Sequence, residues 1–276
     1  ATAMGALGAF LTSGDVVIMD KLCHACLIDG ARRSGATLRI FPHNNLDKLE
    51  NLLGHYRKKI SDDSRLLVVT ESVFSMDGDR APLAEIVDLV EKYDALLLLD
   101  EAHAVGILGS GGQGLAEELG LQDRIALQMG TLGKAVGSAG GYLAASRAWI
   151  NLLTNKARPF IYSTAPPPAQ AAASLCGIDI IASSRGMELR DRLWSNISRL
   201  SELLGKQPAS AIIPVILGDN EMALRASATL LEKGYLAPAI RFPTVPRGSA
   251  RLRITLSAGH REEAVVGLHQ SLLNVS

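Results

Sequence analysis

One lysine in the sequence stands apart from the other charges. Lys134 lies in Thr131-Leu-Gly-Lys-Ala-Val-Gly-Ser-Ala-Gly-Gly141, and no other charged residue occurs between Met129 and Ser146. Most lysines are solvated surface groups. One set among Gly, Ala, Ser and Val is expected to be buried, which lowers the pKa of the amine and makes it a usable nucleophile. The flanking glycines let backbone approach a ligand closely. A nucleotide phosphate loop describes this stretch poorly. Ala135, not Ser or Thr, follows Gly133-Lys134, and the residue five before Gly133 is Gln128.

Four further places could carry chemistry. Asp100 closes the apolar run Ala95-Leu-Leu-Leu-Leu-Asp100, and His103 follows in Asp-Glu-Ala-His. An aspartate after a strand is often a helix cap; a carboxylate with an imidazole three residues on is harder to assign to packing. His24 lies in Asp20-Lys-Leu-Cys-His-Ala-Cys-Leu-Ile-Asp-Gly30, where Cys23 and Cys26 flank it without matching a zinc spacing. It reads either as a site residue or as a histidine packed at a helix start. Ser75, in Thr70-Glu-Ser-Val-Phe-Ser-Met-Asp-Gly-Asp79, follows another apolar run and is a site or turn serine. Arg253 alternates with Arg251 in Arg-Leu-Arg-Ile-Thr-Leu256, so both share one strand face. Such a face is either solvated or built to grip a carboxylate.

These residues need elements to hold them. Strands are predicted at 16–20, 38–41, 66–71 and 95–100, with helices at 24–34, 46–57 and after Pro82, where Leu83, Ile86, Val87 and Val90 make one helical face. Repeated β-α-β units imply an α/β fold with a mostly parallel sheet covered by helices. In such sheets ligands bind beyond the carboxyl ends of the strands, where Asp100 and Ser75 are expected to face one crevice. The texture changes after Ser163, with Pro166, Pro167 and Pro168 marking a boundary. A long helical region to about Gly205, strands at 212–217 and 251–256, a helix at 221–233 and a closing helix from Arg261 predict a smaller α+β domain. The division is placed at 1–178 for the large domain and 179–276 for the small one. The opening Ala-Thr-Ala-Met-Gly-Ala-Leu-Gly-Ala-Phe has the texture of a buried helix, as if the chain were entered partway through a domain.

Composition excludes several classes. In 276 residues, 28 Lys+Arg balance 28 Asp+Glu, so no net charge draws the chain to nucleic acid or an anionic membrane. No apolar run approaches the roughly 18 residues needed to span a bilayer. Three cysteines are too few for a disulfide framework, which fits a reducing cytoplasm.

Taken in order, His24-Ala-Cys-Leu-Ile-Asp-Gly30, Val73-Phe-Ser-Met-Asp-Gly-Asp79, Asp100-Glu-Ala-His103, Thr131-Leu-Gly-Lys134 and Pro243-Thr-Val-Pro-Arg-Gly-Ser-Ala-Arg-Leu-Arg253 resemble the α-oxoamine synthases. These are CoA-dependent enzymes of the fold-type I pyridoxal 5'-phosphate (PLP) class. Within the family, Ala239-Ile-Arg-Phe-Pro-Thr-Val-Pro246 is most like the biotin-pathway branch, although Phe242 stands where that motif has proline. The resemblance implies PLP held on Lys134, with Asp100 at the pyridine nitrogen, His103 at the phenolic oxygen, and Ser75 and Thr131 helping to hold the cofactor. It implies a catalytic role for Lys134 and for His24 stacked on the ring, and substrate contacts by His24, Thr244 and Arg253. The implied reaction is a decarboxylative condensation of L-alanine with an acyl-CoA, pimeloyl-CoA first among them, in a homodimer whose partner Thr164 would reach. The family's N-terminal element, which carries a Gly-aromatic pair and a substrate-binding arginine, has no counterpart in this sequence, so exposed apolar surface is expected.

Two alternatives stay open. A sister enzyme would use glycine or serine with another acyl-CoA, as in the synthesis of 2-amino-3-oxobutyrate. A non-catalytic fragment or partner subunit would keep the fold alone, although such partners typically lack the lysine.

Overall fold

A computed structural model describes residues 1–274, and these divide into two compact units. The first comprises residues up to Phe74 and Arg80–Ser184; the second takes Ser75–Asp79 and the chain from Arg185 on.

The first unit is built on a six-stranded sheet of β1 (Val16–Asp20), β2 (Thr37–Phe41), β3 (Leu66–Glu71), β4 (Leu96–Asp100), β5 (Leu127–Thr131) and β6 (Gly141–Ala145). The order is β2-β1-β3-β4-β5-β6, with every pair parallel except the last. Every residue of β1 and β3 is buried, as their unbroken apolar runs require of strands covered on both faces. The chain turns from β1 to β2 on one side and resumes with β3 on the other. In open α/β sheets ligands bind at such a reversal, beyond the carboxyl ends of the strands.

The covering helices are α1 (Thr2–Phe10), α2 (Ala25–Ser34), α3 (Leu46–Arg57), α4 (Leu83–Lys92), α5 (Leu115–Glu118), α6 (Arg147–Lys156), α7 (Arg158–Ile161) and α8 (Pro168–Ala182). The opening segment is the buried helix its texture predicted. Ala3, Ala6, Leu7 and Phe10 of α1 are covered, and the Phe10 and Trp149 rings meet edge to face at 4.7 Å. Leu83, Ile86, Val87 and Val90 form the buried stripe of α4. Apolar surface is exposed on α7 and α8, where Phe160 is 67% and Leu175 62% exposed.

In the second unit, α9 (Ser184–Leu203), α10 (Asn220–Glu232) and α11 (Glu262–Leu272) accompany an antiparallel sheet of β7 (Ile212–Gly218), β8 (Ala239–Ile240) and β9 (Ala250–Thr255), ordered β7-β9-β8. Leu193, Ile197 and Leu200 bury one face of α9, and Asn196 donates to the carbonyls of Ser257 and His260. The predicted single helical region to Gly205 is two helices, because α8 ends at Ser183, whose extended backbone breaks the ladder.

Candidate active site

Four adjacent strands end in polar residues: Asp20 on β1, Glu71 on β3, Asp100 on β4 and Thr131 on β5. Asp20 is committed to local structure. Its carboxylate accepts from the N–H groups of Leu22 and Asn44 and meets His43 Nδ1 at 3.1 Å. Asp100 is 5% exposed, and its Oδ1 accepts from the Ala102 N–H at 2.9 Å. Burial pushes this carboxyl up, while the Ala102 N–H and then the nearby Lys134 and His24 pull it down. Burial outweighs these, so the Asp100 carboxyl lies above the usual carboxylate range, with the Ala102 N–H and Lys134 favouring its charged form.

Lys134 extends from the turn between β5 and β6. Its Nζ lies 2.9 Å from His103 Nε2. The amine and the imidazole are thus within hydrogen-bond distance, with donor and acceptor set by the tautomer of His103. The expectation that Lys134 is buried is corrected: the residue is exposed, as are Gly133 and Ala135. Small neighbours leave the side chain uncovered, and a polar partner sets its environment.

The turn itself is well braced. Thr131 Oγ1 accepts from the Gly133 N–H and donates to the Gly140 carbonyl, while the Leu132 N–H also bonds Gly140. Gly137 adopts a left-handed φ of 73° that a side chain would strain. Helix α8 presses on the turn: a Cβ at Gly177 would collide with the Val136 carbonyl, and Gln170 Nε2 donates to Ala139 O at 2.8 Å.

His24 stands at a helix start, as the N-cap of α2, and is exposed. Its Nδ1 accepts from the Cys26 N–H at 3.2 Å and lies 3.0 Å from Cys26 Sγ. With Asp100, His103, Thr131 and Lys134 it belongs to the first unit.

Ser75, Thr244 and Arg253 belong to the second unit. Arg253, half-buried, donates from Nε to the Ser75 carbonyl at 2.6 Å and from Nη1 to Thr255 Oγ1 at 3.0 Å. Burial pulls its guanidinium down. Arg251 is not on a solvated face. It is 5% exposed, ion-paired with Asp77 and bonded to the carbonyls of Ser249 and Met76. This arginine ties the Ser75–Asp79 segment to β9. Thr244 and Thr164 are exposed.

Sequence reasoning missed two buried carboxyls, Glu71 and Glu101, each 2% exposed. Glu101 accepts from the first N–H groups of α5, at Leu115 and Ala116. Glu71 is pushed up to about 8, first by burial and then by Asp100. The one available signal was its place at the end of an apolar strand. Its stability effect has a definite sign. A carboxyl raised from 4.5 to about 8 on folding stabilises the fold fully below the lower value, and that contribution is lost as pH rises through the upper one. The melting temperature should therefore fall between about pH 5 and pH 9, and Glu71→Gln should flatten that fall by at least about 3 °C. Thermal melts by circular dichroism would check it; a slope in the variant as steep as in wild type would contradict it.

The aminotransferase class I and II family model matches residues 1–272. The chain belongs to the aminotransferase class I and II family. Among curated members of this family it resembles 8-amino-7-oxononanoate synthase of Anaeromyxobacter dehalogenans strain 2CP-C, at 45% identity over 98% of this chain and 68% of that protein. Among solved structures, serine palmitoyltransferase from S. paucimobilis carrying a PLP–myriocin aldimine superposes with a TM-score of 0.93, at 30% identity over 99% of this chain and 69% of that one. The 8-amino-7-oxononanoate synthase of Francisella tularensis superposes at 0.84, with 26% identity over 99% and 78%. The fold is that of the fold-type I PLP-dependent transferases. Among the described residues no helix is long and apolar enough to cross a membrane.

Proposed function

We propose that the chain condenses L-alanine with pimeloyl-CoA, releasing CoA and CO₂ and forming 8-amino-7-oxononanoate. The observation that carries this reading is Lys134 Nζ on His103 Nε2 beside the buried Asp100, in a chain 45% identical to a synthase of that name. The donor set fits PLP: an accessible amine suits its aldehyde, a buried carboxylate suits a cationic ring nitrogen, and an imidazole suits the phenolic oxygen. Bound there, PLP supplies an electron sink for negative charge developing at the Cα of the amino acid.

The chain's own residues then have distinct tasks. Lys134 would hold the cofactor through its amine and, once that amine is free, would take the Cα proton. Asp100 would keep the ring nitrogen protonated, His103 would hydrogen-bond the ring oxygen, and Thr131 and Ser75 would help hold the cofactor. His24 would pack against it. Thr244 and Arg253 contact substrate, with the planar guanidinium of Arg253 suited to bidentate capture of the carboxylate. A bond forms between Cα and the thioester carbonyl as CoA leaves. The carboxylate then departs as CO₂, and a proton returns to Cα. The chain is further read as a large cofactor-binding domain (1–178) with a smaller domain (179–276), as a homodimer covering apolar residues such as Phe160 and Leu175, and as cytoplasmic.

The test is a parallel assay of CoA release with PLP present. L-alanine with pimeloyl-CoA should give the highest kcat/KM; a higher value for glycine with acetyl-CoA, or serine with palmitoyl-CoA, would move the chain to a sister activity. No release with any pair would leave a non-catalytic role for the fold. For Arg253→Ala, the loss of one charge-assisted bond predicts a fall of roughly 10- to 150-fold in kcat/KM. A variant within twofold of wild type would remove Arg253 from the substrate contacts.

A further inference from the structure

Glu71 sits in an arrangement that folding alone does not require. It ends β3, opposite Asp100 on β4 in the register of the sheet, so two carboxyls are buried side by side. Its Oε1 reaches out of the sheet to the His24 backbone N–H at 2.5 Å. His24 stands at the exposed start of α2, and Nδ1 of its own ring already serves the next turn through Cys26. Burying a carboxyl beside another carboxyl is costly, and a single hydrogen bond from a backbone N–H does not repay it. The pairing has a different consequence: it pins the residue that bears the imidazole to the strand end that bears Asp100.

We infer that Glu71 is a positioning residue for the cofactor site, fixing the His24 imidazole relative to Asp100 through its grip on the His24 N–H. The inference rests on the reading given under Proposed function, because it assigns the His24 ring a place over the cofactor. Several groups face Glu71: Asp20 on β1, Asp100 on β4, Lys134 in the turn after β5, and Cys23 and His24 at the start of α2. Burial and Asp100 hold the Glu71 carboxyl at about 8, so it changes charge just above neutrality. Ionisation strengthens its acceptance of the N–H. The position of the His24 ring should therefore respond to pH in that range even without cofactor.

The experiment follows the imidazole resonances of histidine-labelled protein by NMR across pH, with His24→Asn identifying the His24 signal, and measures PLP affinity separately by visible absorbance. In cofactor-free wild type, the His24 signal should show an inflection near pH 8, which Glu71→Gln removes. Glu71→Ala should weaken PLP binding roughly 5- to 100-fold, the weight of one lost hydrogen bond at a buried acceptor, and Glu71→Gln should recover most of it by keeping an oxygen in place. An inflection unchanged in Glu71→Gln, or PLP affinity within twofold of wild type in a folded Glu71→Ala, overturns the inference. If Glu71→Ala does not fold, the Glu71→Gln titration decides. If wild type takes up no PLP, the proposed function fails, while the cofactor-free titration still decides whether Glu71 positions His24.

Discussion

Lys134→Ala is expected to lower kcat by at least about 10³-fold while leaving the fold intact. Two losses combine: the covalent attachment of the cofactor, and the base that moves the Cα proton, which alone is worth roughly 10²- to 10⁴-fold. His103, 2.9 Å from Nζ, is a hydrogen-bond partner and offers no amine to replace it. Because Lys134 is exposed, its removal should cost the fold within about 0.5 kcal/mol, the usual range for surface positions. A melting temperature close to wild type with turnover lost is the predicted pair of results. Turnover within tenfold of wild type would take the lysine out of the chemistry.

Asp100→Asn should show a different pattern. Asparagine matches aspartate in shape, and its side-chain oxygen can still accept from the Ala102 N–H as Oδ1 does. The fold should survive, since burial already disfavours the charge that the change removes. The charge facing the ring nitrogen is lost. Breaking a buried ionic partnership on one side costs about 3–5 kcal/mol, which is roughly 10²- to 5 × 10³-fold in kcat at 1.36 kcal/mol per tenfold. Steady-state kinetics at saturating alanine would measure it, and a kcat within tenfold of wild type would leave Asp100 as a turn residue and nothing more.

The continuous apolar runs of β1, β3 and β4 were legible because strands covered on both faces need no polar alternation, and burial of these strands accounts for the parallel sheet. The stripe of α4 was legible for the same reason at helical spacing. Strand β5 was not, since Gln128 and Gly130 interrupt its run, and β6 pairs antiparallel at the sheet edge with little burial. Asp100 was legible by type and by its place at the end of β4. What spacing cannot convey is partnership. The bond from Arg253 to the Ser75 carbonyl spans 178 residues of sequence, and the one from Glu71 to the His24 N–H spans 47. The exposure of Lys134 was also hidden, because small neutral neighbours look alike in sequence whether they enclose a side chain or leave it open.

The central claim, that Lys134 holds PLP, is tested most directly by mixing the purified chain with PLP, removing free cofactor and recording the visible spectrum before and after L-alanine. A retained band that shifts on adding alanine and is absent from Lys134→Ala is the expected result. No retained band in wild type, or the same band in Lys134→Ala, would contradict it.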